Sequence, residues 1–114
     1  MNQDANDRLE SQVFRALADP TRRALLTSLQ QREQSVSELT SQFDMTQSAV
    51  SQHLRVLREA RIVSERKVGR LRLYEFHPEP LLLVKEWLEQ HVEFWVSRFE
   101  NLGEHLRKTH APKD

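Results

Sequence analysis

The 114-residue chain contains no cysteine. That absence excludes a disulfide scaffold, a thiolate metal centre, a cysteine nucleophile and a thiol redox switch, and it suits a reducing compartment such as the cytoplasm. Glycine occurs twice and proline four times, and no linker, repeat or low-complexity tract interrupts the chain. No apolar run approaches the roughly 18 residues of a membrane span. The stretch from Met1 to Glu10 is polar and acidic, without a signal-peptide pattern. An excess of either charge is also missing, since 17 basic residues face 17 acidic ones. As a bulk property, neutrality speaks against a polyanionic partner.

The distribution of charge reverses that inference. Residues 1–45 and 77–114 each carry five basic and seven acidic side chains, whereas residues 46–76 carry seven basic and three acidic. A net +4 segment between two net −2 segments is the pattern of a localised polyanion-binding face. The rest of the chain is periodic enough for one domain, expected over 8–107, with polar tails at 1–7 and 108–114.

Val13, Phe14 and Leu17 mark one face of a first helix over about residues 8–18, stopped by Asp19-Pro20. Pro20 suits the first turn of the next helix, which carries Leu25, Leu26 and Leu29 and runs to about Gln31. Ser35-Val36-Ser37-Glu38 is a capping-box pattern and opens a short third helix. After Asp44-Met45, Thr46 is the expected N-cap of a fourth helix ending near Ala60. Its inward stripe is Val50, Leu54 and Leu57; its other side holds Gln47, Ser48, Ser51, Gln52, Arg55 and Arg58. Amides, hydroxyls and guanidiniums without apolar anchors suit base edges and phosphates better than a protein surface. Two β-prone runs, Ile62 to Val68 and Leu71 to His77, flank Gly69-Arg70 and predict a hairpin. Its tip is basic, and Arg66, Lys67 and Arg70 there, with Thr46 at the start of the fourth helix, are expected DNA contacts.

A long final helix is expected from about residue 80 to 106. Leu88, Val92, Trp95, Phe99, Leu102 and Leu106 recur at intervals of four and three, a heptad-like seam. Leu83, Trp87 and Phe94 form a second apolar stripe. Two apolar faces require two partners, here the chain's own domain and a second copy of the chain. The expected fold class is therefore mainly α with a small β-hairpin: four helices, two strands and a fifth helix, a winged helix-turn-helix forming a homodimer.

The segment Phe14-Arg15-Ala16-Leu17-Ala18-Asp19-Pro20-Thr21-Arg22-Arg23 with Leu25-Leu26 resembles the opening of the ArsR/SmtB family of bacterial transcriptional repressors. Ser48-Ala49-Val50-Ser51-Gln52-His53-Leu54-Arg55-Val56-Leu57 resembles that family's recognition helix, and Gly69-Arg70 with Tyr74 its wing. The likeness spans about residues 9–106. It implies a homodimeric repressor of double-stranded operator DNA, paired through the first and last helices, Val13 and Phe14 with the seam residues. It also implies that Gln47, Ser48, Ser51, Gln52, His53 and Arg55 face DNA with Arg70 on the wing, and that an inducer, unidentified from sequence, commonly releases the operator.

Three departures stand out. Where metal-sensing members carry a cysteine pair, this chain reads Ser35-Val36-Ser37, which places it in a branch without the thiolate site; no cofactor or metal is expected. Glu89-Gln90-His91 mimics half of another branch's interhelical site, but His105 lies 14 residues on, about 21 Å along a helix. An alternative reading keeps a His/Glu metal site there, completed across a dimer interface. Arg61 occupies the position where the family has a glycine. A second alternative is a winged-helix module for protein or RNA, against which the polar fourth helix and scarce exposed aromatics of the middle segment argue. Catalysis is not expected: Ser51 and His53 point about 200° apart on a helix, and no phosphate loop or HExxH pattern occurs.

Overall fold

The computed structural model describes residues 2–110, with side chains over 3–107. The described chain forms α1 (Asn2–Leu17), α2 (Pro20–Leu29), β1 (Gln34–Ser35), α3 (Val36–Gln42), α4 (Gln47–Glu59), β2 (Val63–Val68), β3 (Leu71–Phe76) and α5 (Leu81–His110). The chain divides into two compact units after Val84.

In the first unit, the ends of the helices follow from local chemistry. Asp19 caps α2, accepting from the Arg22 amide at 3.0 Å, and Pro20 supplies the first helical residue. The same turn closes α1: the Arg22 guanidinium donates to the Arg15 and Ala16 carbonyls, both at 2.8 Å, and Arg23 donates to Leu17 O. Carbonyls that a helix end leaves without partners are thereby satisfied by cations at its negative pole. Ser35 and Glu38 form a complete capping box at the start of α3.

The core gathers Val13 and Ala16 of α1, Leu25, Leu26 and Leu29 of α2, Val36 and Leu39 of α3, and Val50, Leu54 and Leu57 of α4, with Ile62, Val63 and Tyr74. Leu81 and Val84 of α5 pack against it. Each helix of this unit, together with β2 and β3, thus contributes at least one apolar side chain to the core.

Four boundaries differ from expectation. α1 begins at Asn2 rather than near residue 8, and a Gln3 to Asp7 side-chain bond of 2.9 Å spans one turn of its polar start. α2 ends at Leu29. α5 runs to His110, and residues 111–114 of the expected tail lie outside the described ones. The sheet has three strands, not two, in the order β1-β3-β2, because Gln34 and Ser35 pair antiparallel with Tyr74 and Leu73. Gln34 is buried, and its amide is satisfied by Ser28 and by Gln42.

The second unit is the remainder of α5. Along its described length Trp87, Leu88, Val92, Phe94, Trp95, Val96, Phe99, Leu102 and Leu106 are each at least 40% exposed in the single chain.

Candidate nucleic-acid interface

Thr46 opens α4 by accepting the Ala49 amide at 3.1 Å, so its hydroxyl serves the helix end. Val50, Leu54 and Leu57 are fully buried and fix the rotation of α4 about its axis. That rotation leaves Gln47, Ser48, Ser51, Gln52 and Arg55 exposed. The side chains of the first four make no hydrogen bond within the described residues, and Arg55 makes only a loose pair with Glu59 at 3.7 Å. Their donors and acceptors are therefore available to an outside partner.

His53 departs from the expected arrangement. It sits 100° around the helix from Gln52, on the flank of the buried stripe, and its side chain is only 21% exposed. The ring meets α2 instead: Nδ1 lies 3.3 Å from Arg22 Nη1 and 4.0 Å from Asp19 Oδ2. The Asp19 carboxyl is held below its ordinary value chiefly by the Arg22 backbone amide, with smaller help from the His53 and Arg22 charges.

The hairpin pairs β2 with β3 in register from Val63↔Phe76 to Val68↔Leu71. Gly69 turns the tip with φ +62°. Lys67 and Arg70 are exposed there and form no salt bridge within the described residues. Arg66 differs, since its guanidinium grips Glu33 through Nε at 3.1 Å and Nη2 at 2.5 Å. That pair raises the Arg66 pKa, and it ties the strand to the loop before β1.

Sequence reasoning missed the junction between α4 and the hairpin. Glu65 accepts from the Tyr74 hydroxyl at 2.5 Å and from Arg58 Nη1 at 2.8 Å, and Arg72 Nη1 lies 3.9 Å away. The Tyr74 hydrogen bond, followed by the Arg58 and Arg72 charges, outweighs desolvation and lowers the Glu65 pKa. Burial and the Glu65 carboxylate push the Tyr74 phenol up to about 12. The signal available beforehand was weak: a glutamate cross-strand from a tyrosine.

Residues 19–65 match the family model described as bacterial regulatory protein, arsR family. The chain is 38% identical over 89 residues to the HTH-type transcriptional regulator Rv2034 of Mycobacterium tuberculosis, covering 78% of this chain and 80% of that protein. This chain belongs to the ArsR family. It is 43% identical over 60 residues to the transcriptional repressor SmtB homolog of Synechocystis, covering 53% of this chain and 46% of that protein. A crystal structure of an ArsR family transcriptional regulator superposes with a TM-score of 0.73 at 36% identity, over 80% of this chain and 94% of the other. The chain is accordingly a DNA-binding transcriptional regulator of the ArsR family with a winged helix-turn-helix fold, in which α3 and α4 form the helix-turn-helix and the hairpin the wing.

The remaining expected site residues fall as follows. Arg61 has φ +61°, the left-handed conformation that its usual glycine would adopt without strain. The turn is a Schellman motif: Arg61 N–H donates to Arg58 O at 2.9 Å and Ile62 N–H to Leu57 O at 3.1 Å. Val13, expected at a dimer face, is completely buried within its own core and has no surface to offer a second chain. Phe14 beside it is half-buried. His91 donates from Nδ1 to the Trp87 carbonyl at 2.8 Å and stacks on the Trp87 ring at 4.1 Å. Among the described residues no three His, Asp or Glu side chains converge to hold a metal ion, and no helix is long and apolar enough to cross a membrane.

Proposed function

We propose that this ArsR-family regulator is a homodimeric repressor acting in the cytoplasm on a roughly palindromic operator. The single observation that carries the DNA-reading part is the α4 surface, where Gln47, Ser48, Ser51, Gln52 and Arg55 are exposed in one row without a large apolar neighbour. Glutamine pairs with adenine, arginine with guanine, and serine with either base or phosphate. With α4 in the major groove, Lys67 and Arg70 at the wing tip meet the adjacent minor groove or backbone. The face supports no catalytic role. We take residues 8–107 as one functional unit, reading DNA through α4 and the wing and dimerising through α5.

The dimer reading rests on α5. Leu88, Val92, Trp95, Phe99, Leu102 and Leu106 are 43–64% exposed in the single chain, a costly arrangement in water at roughly 25 cal/mol per Å² of apolar area. A twofold pairing of such seams covers both copies at once and sets two α4 helices about one DNA turn apart or more.

Two substitutions separate base reading from backbone contact. Gln52→Ala is expected to cost about 1–3 kcal/mol on the preferred duplex and little on random DNA. Arg70→Ala is expected to weaken both and to reduce the salt dependence by about one unit per subunit. Competition binding with both duplexes checks this; equal loss on both for Gln52→Ala contradicts the assignment.

A further inference from the structure

The groove between α4 and the wing is lined by three guanidiniums, those of Arg55, Arg58 and Arg72, and by one carboxylate, that of Glu65. Arg58 comes from α4 and Arg72 from β3, and both lean on Glu65, which projects from β2. Glu65 is itself anchored by the buried Tyr74. A guanidinium has five N–H donors; Glu65 takes one hydrogen bond from Arg58 at 2.8 Å and faces one nitrogen of Arg72 at 3.9 Å, a contact of charge without a hydrogen bond. The arginine side chains remain 45% and 59% exposed, whereas Glu65 is 23% exposed. The carboxylate therefore sits behind two cations whose remaining donors face water beside Gln52 and Arg55.

We propose that Glu65 is a positioning residue that holds Arg58 and Arg72 as a pre-formed clamp for one backbone phosphate of the bound duplex. The clamp rests on the reading of α4 as the DNA-contacting helix. A phosphodiester is the ligand that fits: it is a monoanion with two free oxygens, and guanidiniums bind such oxygens in fixed geometry rather than as diffuse charge. Arg58, tethered by its hydrogen bond, loses less rotamer freedom on contact than a free side chain, and the Glu65 charge draws Arg72 towards the same point. The clamp also joins helix and wing, so that a phosphate seated there fixes the angle at which α4 presents Gln52.

The test uses the full chain, a random-sequence duplex and the duplex it enriches from a random pool. Arg58→Ala and Arg72→Ala are each expected to reduce the salt slope by about one unit per subunit. Glu65→Gln keeps an acceptor for Tyr74 and removes the charge. If Glu65 positions the clamp, this variant binds the enriched duplex about tenfold more weakly relative to the random one. If it merely neutralises charge, the variant binds both duplexes tighter by the same factor; if it is only structural, its melting temperature falls while both affinities stay unchanged. Either outcome overturns the proposal, as does an unaltered salt slope in the arginine variants. Tyr74 is the only tyrosine, so an ultraviolet titration reads the network directly: its phenol should titrate lower in Glu65→Gln than in the parent. A parent chain that enriches no duplex refutes the DNA-reading assignment itself; a parent that does so, with Gln52→Ala behaving as expected, leaves only the clamp at stake.

Discussion

At the scale of single residues, conformation and protonation make separable demands. Arg61 occupies a left-handed turn position, where a side chain costs roughly 1–2 kcal/mol. Glycine relieves that strain but gains freedom in the unfolded chain, which offsets part of it, so Arg61→Gly is expected to stabilise the protein by a net amount of about 0.5–1 kcal/mol, measured by denaturant melts. A loss of stability would show that the Arg61 side chain makes a contact worth more than the strain. Three carboxyls, Asp19, Glu38 and Glu65, are held below their ordinary values, chiefly by the Arg22 amide, the Arg32 side chain and the Tyr74 hydroxyl respectively. A carboxyl depressed in the folded state adds stability above its unfolded pKa and loses it as pH falls through the folded one. Melting temperature should therefore decline as pH drops below about 4. Tyr74 has the opposite sign: its contribution is complete below a pH of about 10 and disappears as pH rises towards about 12. A melting temperature flat across both windows would contradict these assignments.

At the scale of elements, α4 was the most legible part of the sequence. Its buried stripe, its Thr46 cap and its end at Glu59 all follow from apolar spacing and one side-chain cap. The hairpin was legible for the same reason, with β-prone runs on either side of Gly69. β1 was not, because two polar residues carry no period and their pairing with β3 is set by tertiary contact. The contact of His53 with α2 was not legible, because its angular position beside the buried stripe says nothing of Arg22 and Asp19, which tertiary packing brings to it. Val13 was misplaced because one apolar face of α1 can serve either its own core or a partner, and packing against Leu25, Leu54 and their neighbours decides for the core. Leu54 is fully buried beneath the polar row, so Leu54→Ala should destabilise by about 2–5 kcal/mol. Chemical denaturation checks this, and a cost below about 1 kcal/mol would mean that the core does not fix α4.

At the scale of the whole molecule, zero net charge conceals a division of labour. The +4 segment from Thr46 to Phe76 contains α4 and the wing, while the flanking segments are each −2. A dimer built on α5 would present two basic reading units and stay neutral overall, which limits non-specific attraction to DNA. The central claim is that two α4 helices read a duplex at once, and selection from a random duplex pool by the purified chain tests it most directly. The account predicts enrichment of an inverted repeat with half-site centres about one helical turn apart or a multiple of it, bound by two chains per duplex. Enrichment of a lone half-site bound by one chain, or of no sequence, would contradict it.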